Sequence, residues 1–180
     1  MSGKLDGKRV AFLFTDGVEQ VELTEPLKAV TDEGAEATLV SLEAGTVSAF
    51  NHLDRGDEFK IDVTVADANP DHYDALVLPG GVANPDALRA DEDAVEFVRG
   101  FFDLDKPVAV ICHGPWTLVE ADVVRGRTLT SWPSLQTDLR NAGAEWVDEE
   151  VHVDGPLVSS RKPDDLPSFN RAVVELLSQR

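Results

Sequence analysis

Pro107-Val108-Ala109-Val110-Ile111-Cys112-His113-Gly114-Pro115 carries three signals in one short stretch. An apolar run suits a strand buried on both faces, Cys112-His113-Gly114 interrupts it, and Pro115 fits the first turn of a helix through Trp116 to Ala121. The cysteine therefore lies on a strand-to-helix turn. Working outward, Asp74 to Leu78 is another buried strand, closed by Pro79-Gly80-Gly81 and followed by a helix with Ala94, Phe97, Val98 and Phe101 on one face. Arg9 to Phe14 repeats the pattern, with a turn at Thr15-Asp16-Gly17. A helix over Glu19 to Glu33 follows, which Pro26 should kink or in which it begins the regular part, with Gly34 as its stop. Ala37 to Ser41 reads as a further strand, and Phe59 to Val65 alternates like a half-solvated antiparallel edge strand. Beyond the cysteine come a short strand at Thr128 to Thr130, a helix over Ser134 to Asn141, strands near Trp146 and Leu157, and a last helix burying Phe169, Ala172, Val173 and Leu176.

This alternation predicts an α/β fold with a mainly parallel sheet and helices on both faces. Ligands of such sheets bind beyond the carboxyl ends of the strands, where the turn with Glu19, the Pro79-Gly80-Gly81 loop and the Cys112 turn converge. A length of 180 residues suits one domain. Acids outnumber bases 34 to 16, a formal net charge of −18. Nucleic acid and anionic membranes are therefore excluded as partners, and concentrated salt in the cytoplasm is the expected setting, because counterions screen such self-repulsion. The chain shows no long apolar run and no signal-peptide pattern at Met1 to Asp6. Its one cysteine rules out an internal disulfide.

Cys112 is the candidate nucleophile. A helix N-terminus stabilises a thiolate, so the turn is expected to lower the thiol's pKa. His113 is the natural base, although neighbours on a regular helix do not face each other, and a Cys112–His113 pair requires a strained turn. Gly80 and Gly81, with the amide of His113, can form a hole for a developing oxyanion. Glu19, within the acidic stretch Asp16 to Glu25, can donate to the thiolate if desolvated. His52, His72 and His152 lack metal spacing and read as surface residues. No cofactor and no metal is called for.

Ala109-Val-Ile-Cys-His-Gly-Pro, Leu78-Pro-Gly-Gly and Glu19-Gln-Val-Glu-Leu resemble the ThiJ/PfpI superfamily. Thr130-Ser-Trp-Pro-Ser-Leu-Gln-Thr-Asp-Leu, Asn141-Ala-Gly-Ala-Glu-Trp-Val-Asp and Ser159-Ser-Arg-Lys-Pro-Asp-Asp-Leu-Pro extend the likeness to its PfpI branch of intracellular cysteine peptidases and general stress proteins. The resemblance implies a flavodoxin-like, class I glutamine amidotransferase-like three-layer sandwich. It implies Cys112 as the reactive cysteine, His113 beside it, and Glu19 as the glutamate bonded to the thiol. In peptidase members a glutamate from a neighbouring subunit completes a triad; here Asp86 stands in that place, in a loop one residue longer. Homodimers or hexamers built as trimers of dimers are implied. So are three activities: glyoxalase or deglycase chemistry on a small carbonyl or a glycated protein or peptide, peptidase chemistry, and a non-enzymatic role as redox sensor or chaperone.

Overall fold

The computed structural model describes residues 3–180. In chain order the first half comprises β1 (Arg9–Leu13), β2 (Val18–Glu19), α1 (Gln20–Asp32), β3 (Glu36–Ser41), β4 (Thr46–Asn51), β5 (Asp54–Lys60), β6 (Val63–Thr64) and β7 (Ala75–Leu78). Then follow α2 (Ala83–Arg89), α3 (Glu92–Asp103), β8 (Val108–Ile111), α4 (Pro115–Glu120), β9 (Thr128–Leu129), α5 (Gln136–Asn141), β10 (Glu145–Trp146), β11 (Val151–Asp154), β12 (Leu157–Ser160) and α6 (Leu166–Ser178).

The main sheet has the order β11-β12-β8-β7-β1-β3-β6. Its pairs are parallel except β11 with β12. Side chains alternate across each strand, so one apolar run feeds two cores. Val10, Phe12, Val77, Ala109, Ile111 and Val158 face α1 and α6, where Leu23, Val30, Phe169 and Val173 meet them. Ala11, Leu13, Leu76, Leu78, Val108 and Val110 face the other way, against Leu88, Phe97, Phe101, Leu118 and Leu139 of α2 to α5. The expected three-layer α/β sandwich is thus the observed one.

One segment differs from the sequence reading. The alternation at Phe59 to Val65 is divided: β5 ends at Lys60, Ile61 is buried, and β6 joins the main sheet in parallel beside β3. β5 instead forms an antiparallel hairpin with β4, and β2 completes this small three-stranded sheet. Thr46–Asn51 alternates Val47 and Ala49, both buried, with Thr46, Ser48 and Phe50, the pattern of a half-buried strand. At α1 the helix passes through Pro26, whose ring leaves the Glu22 carbonyl without its helical donor. The Asp91 side chain caps α3 by accepting from the amide of Ala94 at 2.9 Å.

Phe169→Ala, which empties a fully buried site, is expected to lower stability by about 3–5 kcal/mol, and Asp91→Ala, which removes only the cap, by about 1 kcal/mol. Urea midpoints at unchanged slope provide the check.

Candidate active site

The site is built on an unfavourable backbone. Cys112 follows β8 with φ of +64°, a left-handed conformation that costs a non-glycine residue roughly 1–2 kcal/mol. Two backbone bonds hold it there: its amide donates to the carbonyl of Ser160 at 3.1 Å, and its carbonyl accepts from Trp132 at 2.9 Å. Gly114 must lack a side chain, since a Cβ would lie 2.7 Å from a methyl of Val110 and 3.0 Å from the carbonyl of Ile111. The strained turn allows what a regular helix forbids: Cys112 Sγ lies 3.1 Å from His113 Nδ1.

His113 is 8% exposed and held between aromatic rings. Trp132 stacks on it at 5.6 Å between centroids, and Trp116 meets it edge-on at 5.2 Å. Burial lowers its pKa, so the imidazole is neutral and able to accept a proton.

The carboxyl group at the thiol is that of Glu22, not Glu19. Glu22 occupies the first turn of α1 and is fully buried. It shares the helix's inward stripe with Pro26 and Val30, each four residues on. Neither carboxyl oxygen completes a hydrogen bond of ordinary geometry, though the Cys112 thiol and the amides of Gly80 and Gly81 approach them. Burial first, and the nearby Glu19 charge second, push the Glu22 carboxyl up to about 8. Desolvation outweighs the helix dipole, which supplies only about 1 kcal/mol to an acid in a first turn. Glu19 instead directs both oxygens to the amide of His52, at 3.1 and 3.2 Å.

The expectation of a readily ionised thiol is also corrected. Burial and the Glu22 carboxyl push Cys112 up, and the amides of Gly81 and His113 at the sulfur only partly oppose this. The helix that was to stabilise the anion, α4, is too short to hold much dipole, with six residues. The resting site is therefore neutral: a protonated thiol, a protonated Glu22 and an uncharged imidazole.

These groups form the floor of a cleft of about 610 Å³. Its walls include Phe50, His52 and Leu53 of the β4–β5 hairpin, Val82 beside Gly81, Trp132, Pro163, and the carboxylates of Asp16 and Glu19. Leu53 and Val82 are 95% and 55% exposed at the rim. Asp86 lies outside this cleft, exposed on α2 and without a side-chain partner among the described residues. Among the described residues no group of three or more His, Cys, Asp or Glu is placed to hold a metal ion, and no helix is long and apolar enough to cross a membrane.

Residues 8–176 match the model of the DJ-1/PfpI family. The chain belongs to that family. The DJ-1/PfpI relatives include Deglycase PH1704 of Pyrococcus horikoshii, 47% identical over 94% of this chain and 99% of that protein. Putative cysteine protease YraA of Bacillus subtilis is 42% identical over 94% of this chain and 98% of its own length. Among solved DJ-1/PfpI structures, Drosophila melanogaster DJ-1beta superposes with a TM-score of 0.87 at 26% identity, covering 96% of this chain and 91% of that one.

Two outcomes test the site. The folded chain keeps the Glu22 proton between pH 4.5 and about 8 while the unfolded chain has released it, so stability should fall as pH rises through that window. Glu22→Gln should remove a slope of up to about 1.4 kcal/mol per pH unit, read as the difference between wild-type and variant urea midpoints. Gly80→Ala would set a Cβ 2.6 Å from that of Cys112 and against the Glu22 carboxyl, and alkylation of Cys112 by iodoacetamide should slow by at least about tenfold in the folded variant.

Proposed function

We propose that this chain is a cysteine-dependent enzyme acting on reactive carbonyls, hydrolysing small dicarbonyls or their adducts on amines and thiols. The observation that carries this reading is the buried Cys112 thiol with His113 Nδ1 at 3.1 Å and a protonated Glu22 beside it, on the floor of a largely apolar cleft. Such a cleft admits a small carbonyl and part of the molecule that bears it. The deglycase name of the Pyrococcus horikoshii relative supports the same class.

As the sulfur attacks the aldehyde carbon of methylglyoxal, the thiol proton passes to His113, and the carbon–sulfur bond forms without a free thiolate beforehand. The carbonyl oxygen takes up a proton, giving a hemithioacetal, with the amides of Gly81 and His113, which reach the sulfur, as its oxyanion donors, while the Gly80 amide, expected to join them, faces the Glu22 carboxyl. With an amine adduct, the carbon–nitrogen bond breaks as the carbon–sulfur bond forms, and the departing amine takes the proton. A proton then leaves the carbon bonded to sulfur and another arrives at its neighbour, turning the hemithioacetal into a lactoyl thioester. Water hydrolyses this to lactate and regenerates the thiol. Glu22, neutral throughout, stabilises sulfur by donating to it and adds no charge that would repel the forming anion.

The peptidase reading has one observation of its own. The second ring nitrogen of His113 has no acceptor among the described residues, and Asp86 is exposed and unpartnered. A copy of the chain in a homodimer or hexamer could bring Asp86 to that nitrogen.

Cys112→Ala should abolish lactate formation from methylglyoxal and from its adduct on N-acetylarginine, and His113→Ala should lower kcat by about 10²–10⁴-fold. Casein hydrolysis that survives purification and is lost in both Cys112→Ala and Asp86→Ala, with no turnover of either carbonyl substrate, would replace this reading by the peptidase. Oxidation of Cys112 by micromolar peroxide, again without carbonyl turnover, would replace it by a redox sensor.

A further inference from the structure

Glu19 is bound into three parts of the site at once. Its backbone pairs with Phe50 of β4, its amide donates to the carbonyl of Gly80 at 3.3 Å, and its carboxylate accepts from the amide of His52. His52 occupies the turn of the β4–β5 hairpin with φ of +59°, a second strained non-glycine backbone bordering the cleft. A 9% exposed carboxylate accepting that residue's amide is a charge-assisted contact able to keep the turn in place. Phe50, His52 and Leu53, which this turn carries, form one wall of the cleft. Glu19 is the extended residue just before α1, Glu22 lies in the first turn of that helix, and both side chains line the same cleft as Cys112.

We propose that Glu19 is a positioning residue with two separable effects: its oxygens fix the hairpin tip as a wall of the cleft, and its negative charge disfavours an anion on the Glu22–Cys112 pair. The groups facing this pair are few. Glu19 approaches from the residue before α1, His113 from the turn after β8, the uncharged amides of Gly80 and Gly81 from the loop after β7, and Asp16 lines the same cleft. Of the hairpin residues that line the cleft, Phe50, His52 and Leu53, His52 alone is ionisable, its Nδ1 3.9 Å from Glu19 and its ring 86% exposed. Glu19 is thus a fixed charge in the cleft that acts on Glu22 directly, and through Glu22 on the thiol, with a sign that opposes ionisation.

Glu19→Gln separates the effects, since the amide oxygen still accepts from His52 while the charge is gone; Glu19→Ala removes both. The pH dependence of Cys112 alkylation by iodoacetamide and the KM for methylglyoxal are read in each. In both variants the rising limb of alkylation should move to lower pH by on the order of one unit. KM should stay within about twofold of wild type in Glu19→Gln and rise about tenfold or more in Glu19→Ala. An alkylation limb unmoved in both variants, or a KM raised equally in both, overturns the inference. The KM arm rests on the carbonyl reading above, whereas alkylation needs no substrate. If the wild type turns over no carbonyl, that reading fails and the limb alone decides: a shift supports the charge effect and its absence overturns it.

Discussion

The left-handed backbone at Cys112 is the constraint on which the site depends. A strand leading directly into a helix with ordinary dihedral angles would direct Cys112 and His113 to different sides. The φ of +64° turns the thiol to the imidazole and to the buried Glu22 at the same time. The cost of that conformation is met by the parallel sheet, whose strand β12 receives the Cys112 amide, and by the Trp132 amide on its carbonyl. Fold stability and reactivity are thus coupled through two hydrogen bonds of the elbow rather than through the side chains that do the chemistry.

Desolvation sets the site's electrostatics. Glu22 and Cys112 are pushed up and His113 down, all chiefly by burial, so each group rests uncharged. A neutral acid, a neutral thiol and a neutral base within contact form a proton-sharing set, and the titration of any one belongs to the set. Charge then appears only as a bond to carbon forms. This suits addition to an electrophilic carbonyl, where sulfur loses its proton and gains a carbon in one motion.

Much of this was legible in the sequence. Short apolar runs followed by glycine-rich turns gave the layers and located Cys112, His113, Gly80 and Gly81 at one end of the sheet, because buried parallel strands leave an unbroken apolar signature. Glu22 was harder to read. Within Asp16 to Glu25 all acids look alike, and the distinguishing sign is its four-residue spacing from Pro26 and Val30 on the inward stripe of α1. The hairpin wall was obscured because the alternation in Thr46–Asn51 buries only Val47 and Ala49, a short signal for a strand. The thiol's ionisation could not be judged either, since it turns on how deeply the elbow is buried and how short the following helix is.

The order of strands has a consequence for how the chain acquires its site as it is made. Cys112 leaves the ribosome well before Ser160, the residue whose carbonyl receives its amide, and at ordinary rates of synthesis the interval is roughly 2–10 s for about fifty residues. During that time β8 has β7 on one side but no β12 on the other. The nascent chain therefore carries Cys112 in an unfinished setting, open to the cell's oxidants and electrophiles, and gains the shelter of the elbow only once Ser160 has been made and paired.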